Sequence, residues 1–577
     1  MGKMAVTKMI AALTTALAVF AIPVQAFACT AVYVGSDVSS DGSTIIAKSN
    51  DYQAVWANYI LVTDRVENVP GRTMQVDNEA KSLAKLPATT YHYTATPMMD
   101  SALAINKQAR DATVCSNECG VAMEMSITAF SNDAALAADP LLDTGLTEFA
   151  ADDLVVCQSD TARKGVEVLA SILDEFGSSE VNIAFISDQT ETWYVEIYTG
   201  HQYAAVKLPK DKVCVFGNEF TLEYLSDYED SIVSPNLESL AKDNGFAVYG
   251  ENGELNLYKT YSGDAIRTNY SHMRTWIGHT LLSSAFEKSY NKDDFYPLVF
   301  NPDGKVSLQD VMEIIRNRFE GTEYSPDETG RTDMRVIGTD TALSVHIAQV
   351  YPNLPAEMSC VTWESTGPAI YGVFVPVSNA SLSVSEPYSL NQSADEAGIF
   401  DTDTYPYYRF KELNTLVVEP STYKTYGIPV RAYWHEAETG MIDGMAKVLE
   451  NAASMDIAQA KQYITDYCNT MQQQAFDDSG KLLNDVIFYM AANSNTMKNG
   501  RNPETGEIID QMRTLEPLKV TLDSSPYYAV PDIAVSEDSN NDITFVPFLT
   551  TMAVIVLVGI IRACVAKRLD KNKKNID

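Results

Sequence analysis

The sequence predicts an α+β fold built as a layered sandwich. Three observations predict it: short runs rich in β-branched residues recur along the chain, amphipathic helical patterns recur as well, and the two do not alternate strictly. Strict alternation would indicate a doubly wound parallel sheet, so its absence favours a layered α+β arrangement. Of the 577 residues, 46% are hydrophobic, so the chain can bury a large core.

The first strands are expected at residues 30–34 and 44–48, two β-branched runs joined by the turn-rich segment "GSDVSSDG". This pattern predicts an antiparallel hairpin with a long connection. Strand patterns continue at 120–130 and at 182–197, the second with a turn at 188–192.

Two helices are expected at residues 161–176 and 307–319. In each, apolar side chains recur at spacings of three and four, which places them on one face of a helix that packs on a core. Ser307 and Asp310 have the spacing of a capping box and mark the start of the second helix.

The remainder of the chain is expected to contain the last elements of the globular region, followed by a stalk outside it. Further strands are predicted at 359–364 and 369–375, followed by a polar-faced helical part at about 440–495. The globular region is therefore expected to span 29–522. Residues 523–542, rich in Pro, Asp, Ser and Asn, predict a flexible stalk.

The two ends predict an exported and anchored protein. Residues 1–28 combine a positive start, an apolar run and small residues before Cys29, the pattern of a signal peptide. Residues 543–561 carry no charge and are long enough for one transmembrane helix. The basic tail at 562–577 places the C-terminus in the cytoplasm by the positive-inside rule, so the globular region lies outside the cell membrane.

Charge and cysteine content exclude several classes of protein. A net charge of -35 excludes nucleic acid as a partner, because phosphate would be repelled. The exported cysteines are too sparse for a disulfide scaffold, and the sequence leaves their pairing open. They are Cys115, Cys119, Cys157, Cys214, Cys360 and Cys468. Cys115 and Cys119 have no second pair or His cluster beside them, so no metal site is predicted.

Cys29 stands directly after the predicted cleavage site. A mature chain that begins there carries a thiol and a free α-amino group on one residue, and an amine with a pKa near 7.7–8.0 can take the thiol proton. The thiolate is then the attacking species, so one residue supplies both nucleophile and base. The alternatives are a lipid anchor, which Ala26 and Phe27 fit poorly, and an ordinary structural cysteine.

The hairpin also brings charged residues to Cys29. Pairing across the turn places Cys29 opposite residues 49–51, so Lys48 and Asp51 are expected beside the thiol. An acid there could hold the α-ammonium, and a cation could lower the thiol pKa or bind a substrate carboxylate. A register shift of one residue would turn these side chains away.

Several segments, taken in order, resemble the bacterial dipeptidase A family of N-terminal-nucleophile (Ntn) hydrolases, relatives of penicillin V acylase and choloylglycine hydrolase. They include "CTAVYVGSDVSSDGSTIIAKSNDY", "NECGVAMEMSIT", "TARKGVEVLASILDEFG", "VSLQDVMEIIRNRFEGTEYS" and "AIYGVFVPVS". The resemblance covers most of residues 29 to about 380. It implies a four-layer αββα sandwich, to which this chain adds a C-terminal helical region and membrane helix.

The resemblance also implies roles for individual residues. Cys29 corresponds to the nucleophile, Asp51 to the acid near its amino group, and Asn218 in "FGNEF" to the side chain of the oxyanion hole. Three further residues are expected to bind substrate: Lys48, Asn117 and Arg335. Lys48 departs from the Arg usual in the wider superfamily, and Lys lacks the bidentate fork of Arg.

The resulting hypothesis is an extracytoplasmic cysteine dipeptidase that needs no metal or organic cofactor and acts on dipeptides or small peptides. Two alternatives stay open: an acylase acting on N-acyl amino acids or related amides, and a tethered binding protein whose hydrolase site has decayed. The sequence leaves the oligomeric state open, a homo-oligomer included, as well as the side-chain preference for substrate.

Overall fold

The computed structural model describes the chain between Cys29 and Pro531, apart from a set of internal segments. Those segments are 53–54, 99–111, 126, 264–269, 332, 394–395, 397, 419–422, 494–496, 502–507 and 513–515.

The strands form two large antiparallel sheets and three small ribbons. In chain order they are β1 Ala31–Val34, β2 Thr44–Asp51, β3 Leu61–Thr63, β4 Val66–Glu67, β5 Thr73–Gln75, β6 Leu83–Lys85, β7 Thr89–Thr90, β8 Tyr93–Pro97, β9 Ala112–Asn117, β10 Ala122–Glu124, β11 Asn182–Ser187, β12 Thr192–Ile197, β13 Tyr203–Lys207, β14 Val213–Phe216, β15 Ser231–Val233, β16 Ala342–Val350, β17 Cys360–Thr366, β18 Val375–Ser378, β19 Met497–Arg501 and β20 Ile508–Met512. The six-stranded sheet has the order β14-β1-β2-β16-β17-β18, and the eight-stranded sheet has the order β15-β13-β12-β11-β10-β9-β8-β3. The ribbons pair β4 with β7, β5 with β6, and β19 with β20.

The α-helices connect and cover these sheets. They are α1 Asp133–Ala138, α2 Glu148–Val156, α3 Ala162–Phe176, α4 Leu237–Asp243, α5 Leu257–Tyr261, α6 His272–Leu282, α7 Leu308–Arg316, α8 Pro326–Thr329, α9 Glu386–Ser389, α10 Pro406–Val417, α11 Ile428–Ala452 and α12 Ile457–Ala492.

The two large sheets face each other across an apolar layer. Ala31, Tyr33 and Ile46 of the six-stranded sheet belong to one buried cluster with Phe185 and Tyr194 of the eight-stranded sheet. Because side chains alternate along a strand, the neighbouring residues point to the opposite face of each sheet.

Helices cover both outer faces. Val32 and Ile347 of the six-stranded sheet pack in one cluster with Trp276 of α6 and Trp434 of α11. On the eight-stranded sheet, α2 and α3 cover the face that carries Trp193, in a third cluster. The layers therefore follow the order α, β, β, α, which confirms the predicted layered α+β sandwich.

The locally encoded elements agree with the sequence patterns. The hairpin of β1 and β2 is present, and Thr161 caps α3 by accepting from the Lys164 amide at 3.1 Å. Ser307 and Asp310 form the expected capping box of α7. That helix ends at Arg316 rather than at 319, and Phe319 has a φ of 58°, a left-handed conformation that does not continue a helix.

The strand predicted at 369–375 is wrong, because β18 begins only at Val375. The preceding carbonyls bond to a side chain instead of a sheet: Arg316 donates to Ala369 O at 2.8 Å and to Gly372 O at 3.1 Å. The same guanidinium pairs with Glu438 of α11 through bonds of 2.8 and 2.5 Å, and both side chains are buried. This pair joins the C-terminal helices to the sheet layer.

The packed part of the chain extends further than expected. Beyond α12, Tyr527 is fully buried, and its hydroxyl donates to Asp478 Oδ2 at 2.9 Å. The Tyr463 hydroxyl donates to Pro531 O at 2.9 Å. The predicted stalk at 523–542 therefore begins too early, since its first residues pack against α11 and α12.

The predicted signal peptide at 1–28, transmembrane helix at 543–561 and basic tail at 562–577 lie outside the described residues. Within the part of the chain that the structure describes, no helix has both the length and the apolar character needed to cross a membrane.

The replacement Glu438→Gln is expected to lower the free energy of unfolding by about 3 kcal/mol, because it removes the buried carboxylate that pairs with Arg316 and leaves the guanidinium with the longer contact to the half-exposed Glu313 at 3.5 Å. Urea unfolding of the purified protein measures the change. The control Glu436→Gln, at an exposed position of the same helix, should change stability by less than about 0.5 kcal/mol. Equal effects of the two substitutions would contradict the assigned role of the pair.

Candidate active site

Cys29 lies directly before β1, between the two sheets, with only 1% of its surface exposed. The Thr30 amide donates to Ser49 Oγ at 3.0 Å, and the Ser49 amide donates to Thr30 O at 2.9 Å. Ala31 pairs with Lys48, so continuing this register places Cys29 opposite Asn50. This is the pairing that the hairpin pattern predicted.

Asn218 reaches Cys29 from the other side of β1. Ala31 pairs with Phe216 on β14, and the same register continued by two residues places Asn218 opposite Cys29. The Asn218 Nδ2 donates to Thr128 O at 2.6 Å, and its Oδ1 accepts from Arg274 at 2.6 Å. Since an amide nitrogen carries two hydrogens, one is left to bind a ligand.

Arg274 of α6 is a site residue that the sequence analysis missed. Its buried guanidinium donates through Nη1 to Cys29 O at 2.5 Å and to Thr30 Oγ1 at 2.9 Å, and through Nη2 to Asn218. Its Nε donates to Tyr270 O at 2.6 Å. The only signal in the sequence is one Arg within the otherwise mostly apolar helix "HMRTWIGHTLL".

Burial and the nearby charge of Arg335 lower the pKa of Arg274 to about 10, against the raising effect of the Asp51 carboxylate. The side chain therefore stays protonated at neutral pH. It fixes the carbonyl side of Cys29 and one end of the Asn218 amide with a single charged group.

Asp51 ends β2 and is fully buried beside Arg335, whose Nη2 lies 3.6 Å from its Oδ2. Burial raises the pKa of Asp51 to about 6, against the lowering effect of Arg335 and Arg274. Arg335 also donates to Thr341 Oγ1 at 3.1 Å and is 12% exposed. The structure thus places Arg335, the cation predicted to bind substrate, beside Asp51, the predicted catalytic acid.

In the full chain, Cys29 is joined to Ala28 by a peptide bond, and its thiol is protonated. Burial raises the pKa of the thiol to about 12, and the Asp51 carboxylate raises it as well. The Lys48 charge and the Asp51 backbone amide lower it. Formation of a thiolate there requires a base close to the sulfur.

Lys48 is fully buried and faces the space between the sheets, where its Nζ donates to Met125 O. On β16 its register partner is His346, whose pKa burial and the Lys48 charge lower well below the usual range. The structure therefore places Lys48 in the interior beside Cys29, not on a substrate-accessible surface.

Four buried carboxyl groups surround Lys48: Glu124, Glu148, Asp152 and Glu364. Burial raises the pKa of each, and the Lys48 ammonium lowers it. For Glu364 the resulting pKa is about 8. The sequence did not indicate this cluster, because its members come from β10, α2 and β17.

Asn117 has a structural role in the chain. Its Nδ2 donates to Val156 O at 2.8 Å and to Ser159 O at 2.7 Å, and its Oδ1 accepts from the Cys119 and Val121 amides at 3.0 Å each. These bonds use both hydrogens and both lone pairs of the amide. Asn117 therefore stabilises the turn after β9, and its contact with substrate stays a prediction.

The cysteines within the described ranges, Cys29 among them, are all free thiols. Over the same ranges, no group of three or more His, Cys, Asp or Glu side chains has the geometry to hold a metal ion.

Together these residues form an arrangement suited to acyl transfer. A thiol, an amide donor on the adjacent strand and a buried guanidinium converge at one end of the sheets, with an acid and a second guanidinium nearby. The predicted nucleophile and acid come from one hairpin and the predicted oxyanion donor from a distant segment, residue types that hydrolase sites combine.

The layered fold and this cysteine site define the class as an Ntn-type cysteine hydrolase. The model of peptidase family C69 matches residues 28–436, and the chain belongs to this family. The match confirms the predicted family and the prediction that the chain is a peptide hydrolase.

Two probable dipeptidases and one solved structure are similar to this chain. A probable dipeptidase B from Streptococcus pyogenes serotype M1 is 31% identical over 377 residues, which cover 62% of this chain and 74% of the relative. A probable dipeptidase B from Lactococcus lactis subsp. lactis (strain IL1403) is 28% identical over 485 residues, covering 81% of this chain and 96% of the relative. A crystal structure of a mutant conjugated bile acid hydrolase from Clostridium perfringens aligns over 59% of this chain and 89% of its own, with a TM-score of 0.29 and 11% identity.

The pKa of Asp51 predicts a pH-dependent contribution to stability. Because this pKa is about 6 in the folded chain against a usual 3.8, the protonated form stabilises the fold below pH 3.8, and that stability is lost as the pH rises through 6. The unfolding free energy of Asp51→Asn minus that of the wild type should therefore rise by about 3 kcal/mol as the pH increases from 4 to 7.

Urea unfolding of both full chains across this pH range makes the test. The variant Asp37→Asn, at an exposed position in the same hairpin, serves as the control and should follow the wild type. A constant difference between Asp51→Asn and the wild type would contradict the raised pKa.

Proposed function

We propose that the protein is an extracytoplasmic dipeptidase whose nucleophile is Cys29 as the first residue of the mature chain. The observation that carries the proposal is the position of Cys29, with Asn218 opposite it just after β14 and its own carbonyl held by Arg274. The dipeptidase names of the relatives support the substrate class.

In the proposed reaction, cleavage before Cys29 produces a free α-amine next to the thiol. The amine takes the thiol proton, and the thiolate attacks the scissile carbonyl. The remaining Asn218 amide hydrogen and its dipole stabilise the oxyanion. One such donor lowers the activation free energy by about 2.7–4 kcal/mol in other hydrolases. The α-ammonium gives its proton to the leaving amine, and a thioester remains on Cys29.

Water then releases the acyl group. The α-amine takes a proton from water as the oxygen attacks the thioester, and the expelled thiolate recovers a proton, which leaves a free carboxylic acid and the original thiol. The Asp51 carboxylate holds the α-ammonium while it exists, that is, from each uptake of a proton until that proton is donated. Arg335 shares the Asp51 carboxylate and offers a cation to the substrate carboxylate.

The proposed location follows from the two ends of the sequence. The signal-like residues 1–28 export the chain, and the uncharged segment 543–561 with its basic tail anchors it in the cell membrane as a single span. Export and activation are then one event, because a precursor that keeps residues 1–28 has no free amine on Cys29.

Replacing Cys29 with Ala should lower the hydrolysis rate of dipeptides by a factor on the order of 10³ or more, because the nucleophile is removed. A panel of dipeptides with free amino termini is assayed beside the same compounds acylated at the amino group. Cys119→Ser, a change at a half-buried cysteine outside the site, is the control and should retain activity. Full activity of the Cys29 variant would end the mechanism, and hydrolysis of only the acylated compounds would make the protein an acylase.

The N-terminal peptide of protein produced by an exporting bacterial host should have the mass of an unmodified chain that begins at Cys29. Peptide mass spectrometry measures it directly. Chains made with residues 1–28 retained should hydrolyse no dipeptide until that segment is removed. A diacylglyceryl group on the Cys29 sulfur would contradict the proposal, since the thiol would be occupied.

A further inference from the structure

A cavity of about 300 Å³ lies on the outer side of the eight-stranded sheet, and the proposed reaction gives it no role. It is enclosed by α2, by β8 and by the ribbons β4–β7 and β5–β6. Its residues Tyr93, Ala150 and Cys157 belong to the outer apolar cluster, whereas Cys29 belongs to the cluster between the sheets. The cavity and the candidate active site are therefore on opposite faces of one sheet.

The floor of the cavity is polar and buried. Asp153 of α2 is 3% exposed, and its Oδ1 accepts a hydrogen bond of 2.5 Å from the Tyr93 hydroxyl. A carboxylate can accept about four hydrogen bonds, so this group can bind an ammonium as well as the phenol. Gln75 and Thr90, also buried, add polar groups to the lining.

Arg72 supplies the opposite charge at the exposed rim. Its Nη1 donates to the exposed side chain of Asn68 at 2.6 Å, which leaves four guanidinium hydrogens for other partners. Arg72, Asp153 and Cys157 all line this cavity, so the two groups of opposite charge face the same small space. Burial and Asp153 raise the pKa of the Cys157 thiol to about 12, against the lowering effect of Arg72.

The remaining wall is apolar. Met74, Leu83 and Leu86 come from the β5–β6 ribbon and the residue after it. A volume of about 300 Å³ is at the small end of ligand pockets, which suits a single amino acid better than a larger peptide.

We propose that this cavity is a second binding site that takes a free α-amino acid with an apolar side chain. The ammonium group binds Asp153, the carboxylate binds Arg72, and the side chain packs on Met74, Leu83 and Leu86. A zwitterion matches both charges, whereas a simple amine or a simple carboxylate matches only one. The site does not depend on the proposed hydrolysis, although amino acids are the products of that reaction.

The test is titration calorimetry on the full chain with Cys29 replaced by Ala, so that no turnover contributes heat. L-Leucine is the probe, and N-acetyl-L-leucine and L-leucinamide are the analogues that lack one charge each. L-Leucine should bind saturably, and each analogue should bind about tenfold more weakly or not at all at the site that the variants below remove.

Two variants locate the binding. Asp153→Asn keeps an acceptor for Tyr93 but removes the charge, and Arg72→Gln changes an exposed side chain whose loss does not threaten the fold. Each should weaken the affinity of this site for L-leucine about tenfold. Arg65→Gln, which breaks an exposed pair with Glu118 outside the cavity, is the matched control and should bind like the parent.

Three results would overturn the proposal: no saturable heat with L-leucine, the same affinities and stoichiometry in both cavity variants as in the parent, or N-acetyl-L-leucine binding as tightly as L-leucine at the site lost in Asp153→Asn. Failure of the hydrolase proposal would appear separately, as missing activity of the chain with intact Cys29 in the dipeptide assay.

Discussion

The buried guanidinium of Arg274 is the interaction on which the arrangement of the site depends. Burying a charge away from water costs free energy unless the charge is paired and hydrogen-bonded. The groups around Arg274 must therefore be placed where they can accept its hydrogen bonds. It bonds to Cys29 O and Thr30 Oγ1 just before β1, to Asn218 Oδ1 just after β14, and to the Tyr270 carbonyl before its own helix. One side chain thereby links Cys29, Asn218 and the helix layer.

The second constraint is the concentration of acid groups around one Lys48 ammonium between the sheets. Burial raises the pKa of Glu124, Glu148, Asp152 and Glu364, and a single cation offsets only part of that cost. Carboxyl groups in this state hold protons at pH values where surface carboxyls have released them. The interior beside Cys29 therefore carries less negative charge than its residues suggest, which favours a thiolate more than four ionised acids would.

The sequence predicted what short segments encode. The β1–β2 hairpin and its register, the capped helices α3 and α7 and the layered class follow from turn residues, caps and apolar periodicity. It failed where distant residues compete for the backbone. The segment 369–375 has the composition of a strand, but its carbonyls accept hydrogen bonds from Arg316. Asn117 lies in a motif that resembles the family's, but its side-chain amide forms hydrogen bonds within a turn. Arg274 was missed because its partners in the site, Cys29 and Asn218, are more than fifty residues away in the chain, and no local pattern indicates them.

The ion pair of Arg316 with Glu438 bears on how such chains evolve. The family match ends at residue 436, inside α11 and two residues before Glu438, so this contact joins the matched part of the chain to a residue just beyond it. The C-terminal helices are thus not an interchangeable module appended to a complete enzyme. A lineage that lost or exchanged these helices would also have to replace Glu438 as the buried partner of Arg316. The sequences of the C-terminal helices and of the layers they contact are therefore expected to change together.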